Sequence, residues 1–178
     1  MVAHSQGARV SAATSSLDSA TPSAAESSPL VKRTTLIVRD AARSMAFYRD
    51  GLGLSVWYDD VIELSGVGLA AGKRGDQTRL IIMRAQDPVI GMIGLLQFTE
   101  PSLSPPARRE RLGIGDIVFV MQGRDIEGVH ERVPQLGGRI HAAPHRFEVR
   151  GADGAQVAMT SLSFWDPDDY FIEYNRRD

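Results

Sequence analysis

The chain has 178 residues, 20 basic against 22 acidic side chains and a formal net charge of −2, so it can bury a core and lacks the basic surplus of a nucleic-acid-binding surface. It contains no cysteine, which excludes disulfides, thiolate metal sites and cysteine nucleophiles. No apolar run approaches the roughly 20 residues of a membrane span, so the expected partner is a small-molecule ligand, not nucleic acid or membrane, in a cytoplasmic setting.

Residues 1–30 are rich in Ser, Ala and Thr, show no hydrophobic period, and include one histidine, His4. Such a composition buries too little apolar surface to offset ordering entropy, which predicts a disordered tail. It also lacks the continuous apolar stretch of a secretory signal. Arg33–Asp40 reads as an alternating strand. Asp40 is a reasonable N-cap for a helix whose buried stripe is Ala41, Met45, Tyr48 and Leu52, stopped at Gly51-Leu-Gly53. Strands are predicted at 54–59, 61–70, 78–83 and 93–99. Residues 101–111 hold Pro101, Pro105 and Pro106, which forbid regular structure and mark a linker. Its cluster Arg108-Arg109-Glu110-Arg111 reads as solvated.

The second half has the same order: a strand over 116–122, a helix over 125–136 with Pro134 near its end, and strands at 139–142, 157–165 and 170–175. Residues 145–154 read as a loop or irregular hairpin. The last strands enclose a tight Asp166-Pro-Asp-Asp169 turn, suited by Pro167 and by aspartates that bond their own backbone. In the final strand Phe171, Glu173 and Asn175 share one face, and Ile172 and Tyr174 the other. A carboxylate at the centre of so short a strand is a metal ligand, a general base or half of an ion pair.

Two βαβββ units in tandem, 31–100 and 112–178, are each too small to close a core alone and predict one α+β domain over 31–178. At Leu36-Ile-Val-Arg-Asp40-Ala-Ala-Arg-Ser44-Met-Ala-Phe47-Tyr48-Arg-Asp-Gly-Leu52-Gly53, and at Phe164-Trp-Asp166-Pro167-Asp168-Asp-Tyr-Phe-Ile-Glu173, the chain resembles the vicinal oxygen chelate superfamily. That superfamily holds glyoxalase I, extradiol dioxygenases, methylmalonyl-CoA epimerase and the bleomycin- and fosfomycin-resistance proteins. The resemblance implies curved mixed sheets around one cleft with a divalent metal at its floor, and a homodimer as a family-level expectation. It assigns the ligand positions, on the first and last strand of each half, to Arg33, Gln97, Asp116 and Glu173.

Only Glu173 keeps a usual ligand type. An arginine guanidinium is always cationic and offers no lone pair. Two arrangements stay open. In one, Gln97, Asp116 and Glu173 hold a divalent metal, among Mg, Mn, Fe, Ni and Zn, their all-oxygen set suiting a hard ion such as Mg or Mn better than Zn or Fe. In the other, favoured by the charges, Arg33 takes the metal's place and bridges Asp116 and Glu173, and no cofactor is needed. Glu173 or Asp116 then serves as general base and Arg33 stabilises developing negative charge, while Gln97, Trp57, Phe98 and Phe164 contact the substrate. The implied function is glyoxalase-like: binding a small oxygenated or aromatic metabolite for isomerase or lyase chemistry. The alternatives are a non-catalytic, drug-sequestering protein of the resistance type and a metal-dependent lyase or dioxygenase. His141 and His145 would point to one side of an extended strand, as a metal pair or as rim histidines. The glycine-rich stretches lack the features of a P-loop, a dinucleotide fingerprint or a nucleophile elbow.

Overall fold

The computed structural model describes residues 28–178. The tail predicted over residues 1–30, with His4, falls outside the described residues up to residue 27, and Val31–Asp178 form one unit. The first half runs β1 (Arg33–Ile37), helix α1 (Ala41–Ala46) continuing as a π turn through Gly51, β2 (Ser55–Glu63), β3 (Gln77–Arg84) and β4 (Met92–Glu100). The second runs β5 (Val118–Gln122), α2 (Ile126–Gln135), β6 (Arg139–Arg150), β7 (Gln156–Trp165) and β8 (Phe171–Arg177). Each half closes a four-stranded mixed sheet of the same topology, β1-β4-β3-β2 and β5-β8-β7-β6, in which the first and last strands of the half run parallel side by side. The α+β reading with two βαβββ modules therefore holds.

The first helix starts at the cap the sequence places there, and the second is capped by the first residue of its predicted span. Asp40 accepts from the amides of Ala42 and Arg43 at 2.9 and 3.0 Å, and Asp125 from that of Gly128 at 3.0 Å. Two strands differ from expectation. The predicted break near Asp60 is absent: β2 runs on past it, kinked by a bulge at Trp57, and residues 64–76 form a loop. In the second half β6 continues through Pro144 to Arg150 where a loop was expected. It can do so because it is an edge strand, where a residue without an N–H breaks no ladder, and its two bulges absorb the irregularity.

The helices cover one face of each sheet, and a single core joins the halves. Leu36, Ile81, Met83 and Leu95 of the first module and Leu162, Phe164 and Ile172 of the second are all under 2% exposed in one cluster with Phe47 and Tyr48. Phe47 packs edge-on to Phe164 across the junction, with ring centroids 6.1 Å apart. Each such buried side chain stabilises the fold by roughly 1.5–3 kcal/mol.

Polar groups complete the junction, and they are the two stretches that carry the family resemblance. The Tyr48 hydroxyl donates to Asp166 Oδ2 at 2.8 Å, and the Ser44 hydroxyl donates to Asp168 Oδ2 at 2.6 Å. These residues stand four apart, one turn, on the same helix face. Arg39 meets Asp168 at 3.2 Å and Asp169 at 3.0 Å. The Asp-Pro-Asp-Asp turn is thereby clasped to the first module. Asp166 Oδ1 also accepts from the amides of Asp168 and Tyr170, both at 2.8 Å, so the turn is bonded from within. Asp169 sits at a φ of 67°, a left-handed position that aspartate tolerates better than most residues.

Candidate functional site

The strand registers identify which residues of the two modules are equivalent. Arg33 and Val118 both stand seven residues before their helix N-caps, Asp40 and Asp125. On the neighbouring strands Thr35 pairs with Gly94, and Val120 with Glu173. The first-module counterpart of Glu173 is therefore Gly94, not Gln97. Alternation decides the same question independently. Ile93 and Leu95 point into the core beside α1, and Gln97 shares their parity. Its Oε1 accepts the Ala41 amide at 2.9 Å, satisfying a free N–H at the start of α1. Its own counterpart, Arg176, likewise reaches the first turn of its helix and pairs with Glu127 at 3.1 Å.

The expected foursome is thus not brought together. Gln97 lies on the helix side of its sheet. Asp116 precedes β5, where its carboxylate pairs with Arg109 and accepts the Gly113 amide at 2.8 Å, so it closes a loop and is not bridged by Arg33. Arg33 lies on the side of the first sheet away from the helix, with its stem over Gly94. A Cβ built at position 94 would stand 2.8 Å from Thr35 Oγ1 and 3.2 Å from Arg33 Cδ. Glycine is therefore needed there sterically, and the space that Glu173 fills in one module is taken by Arg33 and Thr35 in the other.

The aromatic expectations divide. Phe164 is fully buried in the core against Phe47 and cannot touch a ligand. Phe98 is 3% exposed and lines a cavity of about 150 Å³ between β1, the linker at Leu103–Pro106 and Tyr170. Trp57 is 48% exposed beneath the Arg84 guanidinium, 4.9 Å from the ring centroid, in a cation–π contact.

Glu173 itself lies on the open face of the second sheet. It lines a cavity of about 410 Å³ with His141, His145, Ser161, Ser163, Phe147 and Phe171. Its partners across β7 are explained by alternation: Ser163 pairs with Glu173 and Ser161 with Asn175, so both hydroxyls share its face. His145 pairs with Ser161 across β6 and stacks on Phe147 at 5.9 Å, and His141 meets the Phe171 ring edge-on at 5.4 Å. Sequence reasoning had the two histidines on one side of a strand but ended that strand at Ala142, which hid their link to Glu173.

One carboxylate, two imidazoles and two hydroxyls can accept and donate protons around a small polar ligand, with aromatic rings against its apolar parts. The metal positions that the resemblance implies fare differently. They fall on Arg33, Val118, Gly94 and Glu173, and three of these have no donor for a cation. Asp116, two residues ahead of Val118, is engaged by Arg109. This set does not fit a divalent ion. Among the described residues no three His, Asp or Glu side chains converge closely enough to hold one.

Two mixed sheets built from a repeated βαβββ module, with a signature turn clasping one half to the other, define the glyoxalase fold. The chain belongs to the Glyoxalase/Bleomycin resistance protein/Dioxygenase superfamily, whose model matches residues 30–174. Among solved structures, it is similar to a glyoxalase family protein from Bacillus cereus at 14% identity, covering 88% of this chain and 99% of that one with a TM-score of 0.70. It is also similar to the trypanothione-dependent glyoxalase I of Leishmania major, at 16% identity over 83% of this chain and 86% of that one, with a TM-score of 0.53. At these identities the likeness is one of fold. No curated protein matches the chain. No helix among the described residues is long and apolar enough to cross a membrane.

Proposed function

We propose that this protein binds a small oxygenated or aromatic metabolite against the open face of the second sheet and acts on it by isomerase- or lyase-type proton transfer, with Glu173 as the base. The observation that carries the reading is the composition of the cavity: Glu173 is the one carboxylate among its lining residues and shares it with His141 and His145. In this reading the carboxylate takes a proton from a carbon next to a carbonyl. An imidazole N–H stabilises the oxyanion that develops, and the Ser161 and Ser163 hydroxyls orient polar substituents. Phe147 and Phe171 cover the apolar part of the ligand. The chemistry is assigned to these side chains and not to a metal, because the implied ligand positions supply a guanidinium, a valine and a glycine beside Glu173.

A second reading, sequestration of a small molecule without turnover, is supported by Gly94, since the first module offers no acid or base opposite Glu173 in the repeat. A thermal-shift screen of carbonyl-bearing and aromatic metabolites finds the ligand, because a ligand at 100 times its Kd stabilises by about 2.7 kcal/mol. Product analysis then separates the two readings. Glu173→Gln is expected to reduce turnover by roughly 10²–10⁴-fold with the fold intact, and Asp116→Asn to leave it unchanged. Turnover that survives Glu173→Gln removes the base, and tight binding with no product establishes sequestration.

A further inference from the structure

The turn that clasps the modules also borders a second concavity, of about 240 Å³, lined by Arg39, Arg43, Arg108, Arg139, Asp166, Pro167, Asp169 and Gly137. Four arginines face two carboxylates there, in a chain whose net charge is −2. The two acids are already committed. Asp166 accepts from the Tyr48 hydroxyl and from two backbone amides. Asp169 is shared between Arg39 at 3.0 Å and Arg139 at 2.6 Å. Arg139 is held further by the Arg109 carbonyl at 2.8 Å and by the Trp165 ring, 5.5 Å from its guanidinium. Two of the guanidinium groups are therefore fixed in place.

The other two are not paired. Arg43 and Arg108 have no acidic partner among the described residues and are exposed to solvent. Arg43 packs against Gly137, where a Cβ would come within 2.5 Å of its Nη2. Any side chain at 137 would displace it, so this glycine, at a φ of 86°, both ends α2 and leaves room for the guanidinium. Arg108 belongs to the linker cluster that the sequence alone reads as merely solvated.

We propose that this junction is a binding site for a free phosphate-type oxyanion, seated among Arg39, Arg43, Arg108 and Arg139. The two guanidinium groups without an acidic partner, those of Arg43 and Arg108, match a dianion in charge. Planar forks arriving from the β1–α1 turn, α1, the linker and β6 can each offer paired N–H groups to a tetrahedral group of oxygens. The concavity has room for such an ion with several waters. The site lies at the module junction and shares no lining residue with the Glu173 cavity.

Calorimetric titration of the full chain with inorganic phosphate at pH 7.5, with ionic strength held constant by sodium chloride, tests this. Saturable binding is expected, at least about tenfold weaker in R43Q/R108Q, since each lost charge-assisted bond removes a large part of the affinity. R146Q, whose side chain is 82% exposed at another surface, is expected to bind as the wild type does. Acetate, a monoanion with two oxygens, is expected to bind at least about tenfold more weakly than phosphate. The charge reversal R108E alone, in the linker, serves if the double variant does not fold, and it too must weaken binding. No saturable phosphate binding by the wild type overturns the proposal, as does equal affinity in R43Q/R108Q or R108E, or acetate binding as tightly as phosphate.

Discussion

At the same point of its last strand the first module carries Gly94 and the second carries Glu173. Around Gly94 the outer face of the sheet is made of Leu96, Phe98, Ile82 and Met92, all buried, with the stem of Arg33 over the glycine. Around Glu173 the matching face holds Ser161, Ser163, His141 and His145 beside an open cavity. The repeat has kept its backbone, its helix caps and even the reach of Gln97 and Arg176 toward the helix starts. It has not kept its chemistry. One half has become mostly apolar packing, and the polar groups able to move protons are concentrated in the other. What is common to both modules is structural, and what differs is where function is to be sought.

The strongest test of that division is to break the clasp. Asp166→Ala leaves two backbone amides and the Tyr48 hydroxyl without an acceptor in a buried place, which should cost about 4 kcal/mol by urea denaturation at pH 7. A loss below about 1 kcal/mol would mean that the signature turn is not what joins the halves. The same residue gives a pH signature. Burial raises the Asp166 carboxyl to about 6, above its unfolded value near 4. The folded form then holds the proton more tightly than the unfolded one. The contribution of this group to stability is greatest below pH 4 and is lost as pH rises through 6, by up to about 3 kcal/mol. Asp166→Asn keeps the acceptor for both amides and removes the titration, so its stability should lack that fall between pH 4 and 6.

A smaller effect sharpens the comparison directly. Gly94→Glu writes the second module's residue into the first, where it meets Thr35 and Arg33, and should cost about 2 kcal/mol through overpacking. Combining it with Arg33→Ala should recover part of the loss, as residues in contact do not add independently. Strict additivity would show that Arg33 does not fill the space. The mildest change, Tyr48→Phe, removes one hydroxyl from the clasp. It should cost about 1.5 kcal/mol, the low end for a hydrogen bond to a charged group, and leave binding at the Glu173 cavity untouched.

Much of the fold was legible in the sequence because its signals are local. Asp40 and Asp125 announce helix starts, the alternation of Phe171 to Asn175 announces its faces, and the repeat of element order announces two modules that need each other's core. The site was legible only in part. Glu173 stands out as an acid among apolar neighbours, but its companions depend on register, which no single strand reveals. Gln97 lies three residues from the true counterpart of Glu173, and that odd offset turns it to the opposite face of the sheet. Asp116 looks like the start of a strand and is held instead in the preceding loop by Arg109, a residue of the linker. Pro144 is locally a strand breaker, and only its edge position lets β6 carry His145 to the cavity.

The proposed function places the ligand in the cavity that contains Glu173. A thermal-shift titration of the best metabolite ligand checks it against wild type, Glu173→Gln, His141→Ala and, as a control in the separate cavity beside Phe98 and Tyr170, Leu103→Trp. The ligand-induced rise in Tm is expected to be lost or strongly reduced in the first two variants and preserved in the third. A rise that persists in Glu173→Gln and His141→Ala but vanishes in Leu103→Trp would contradict that placement.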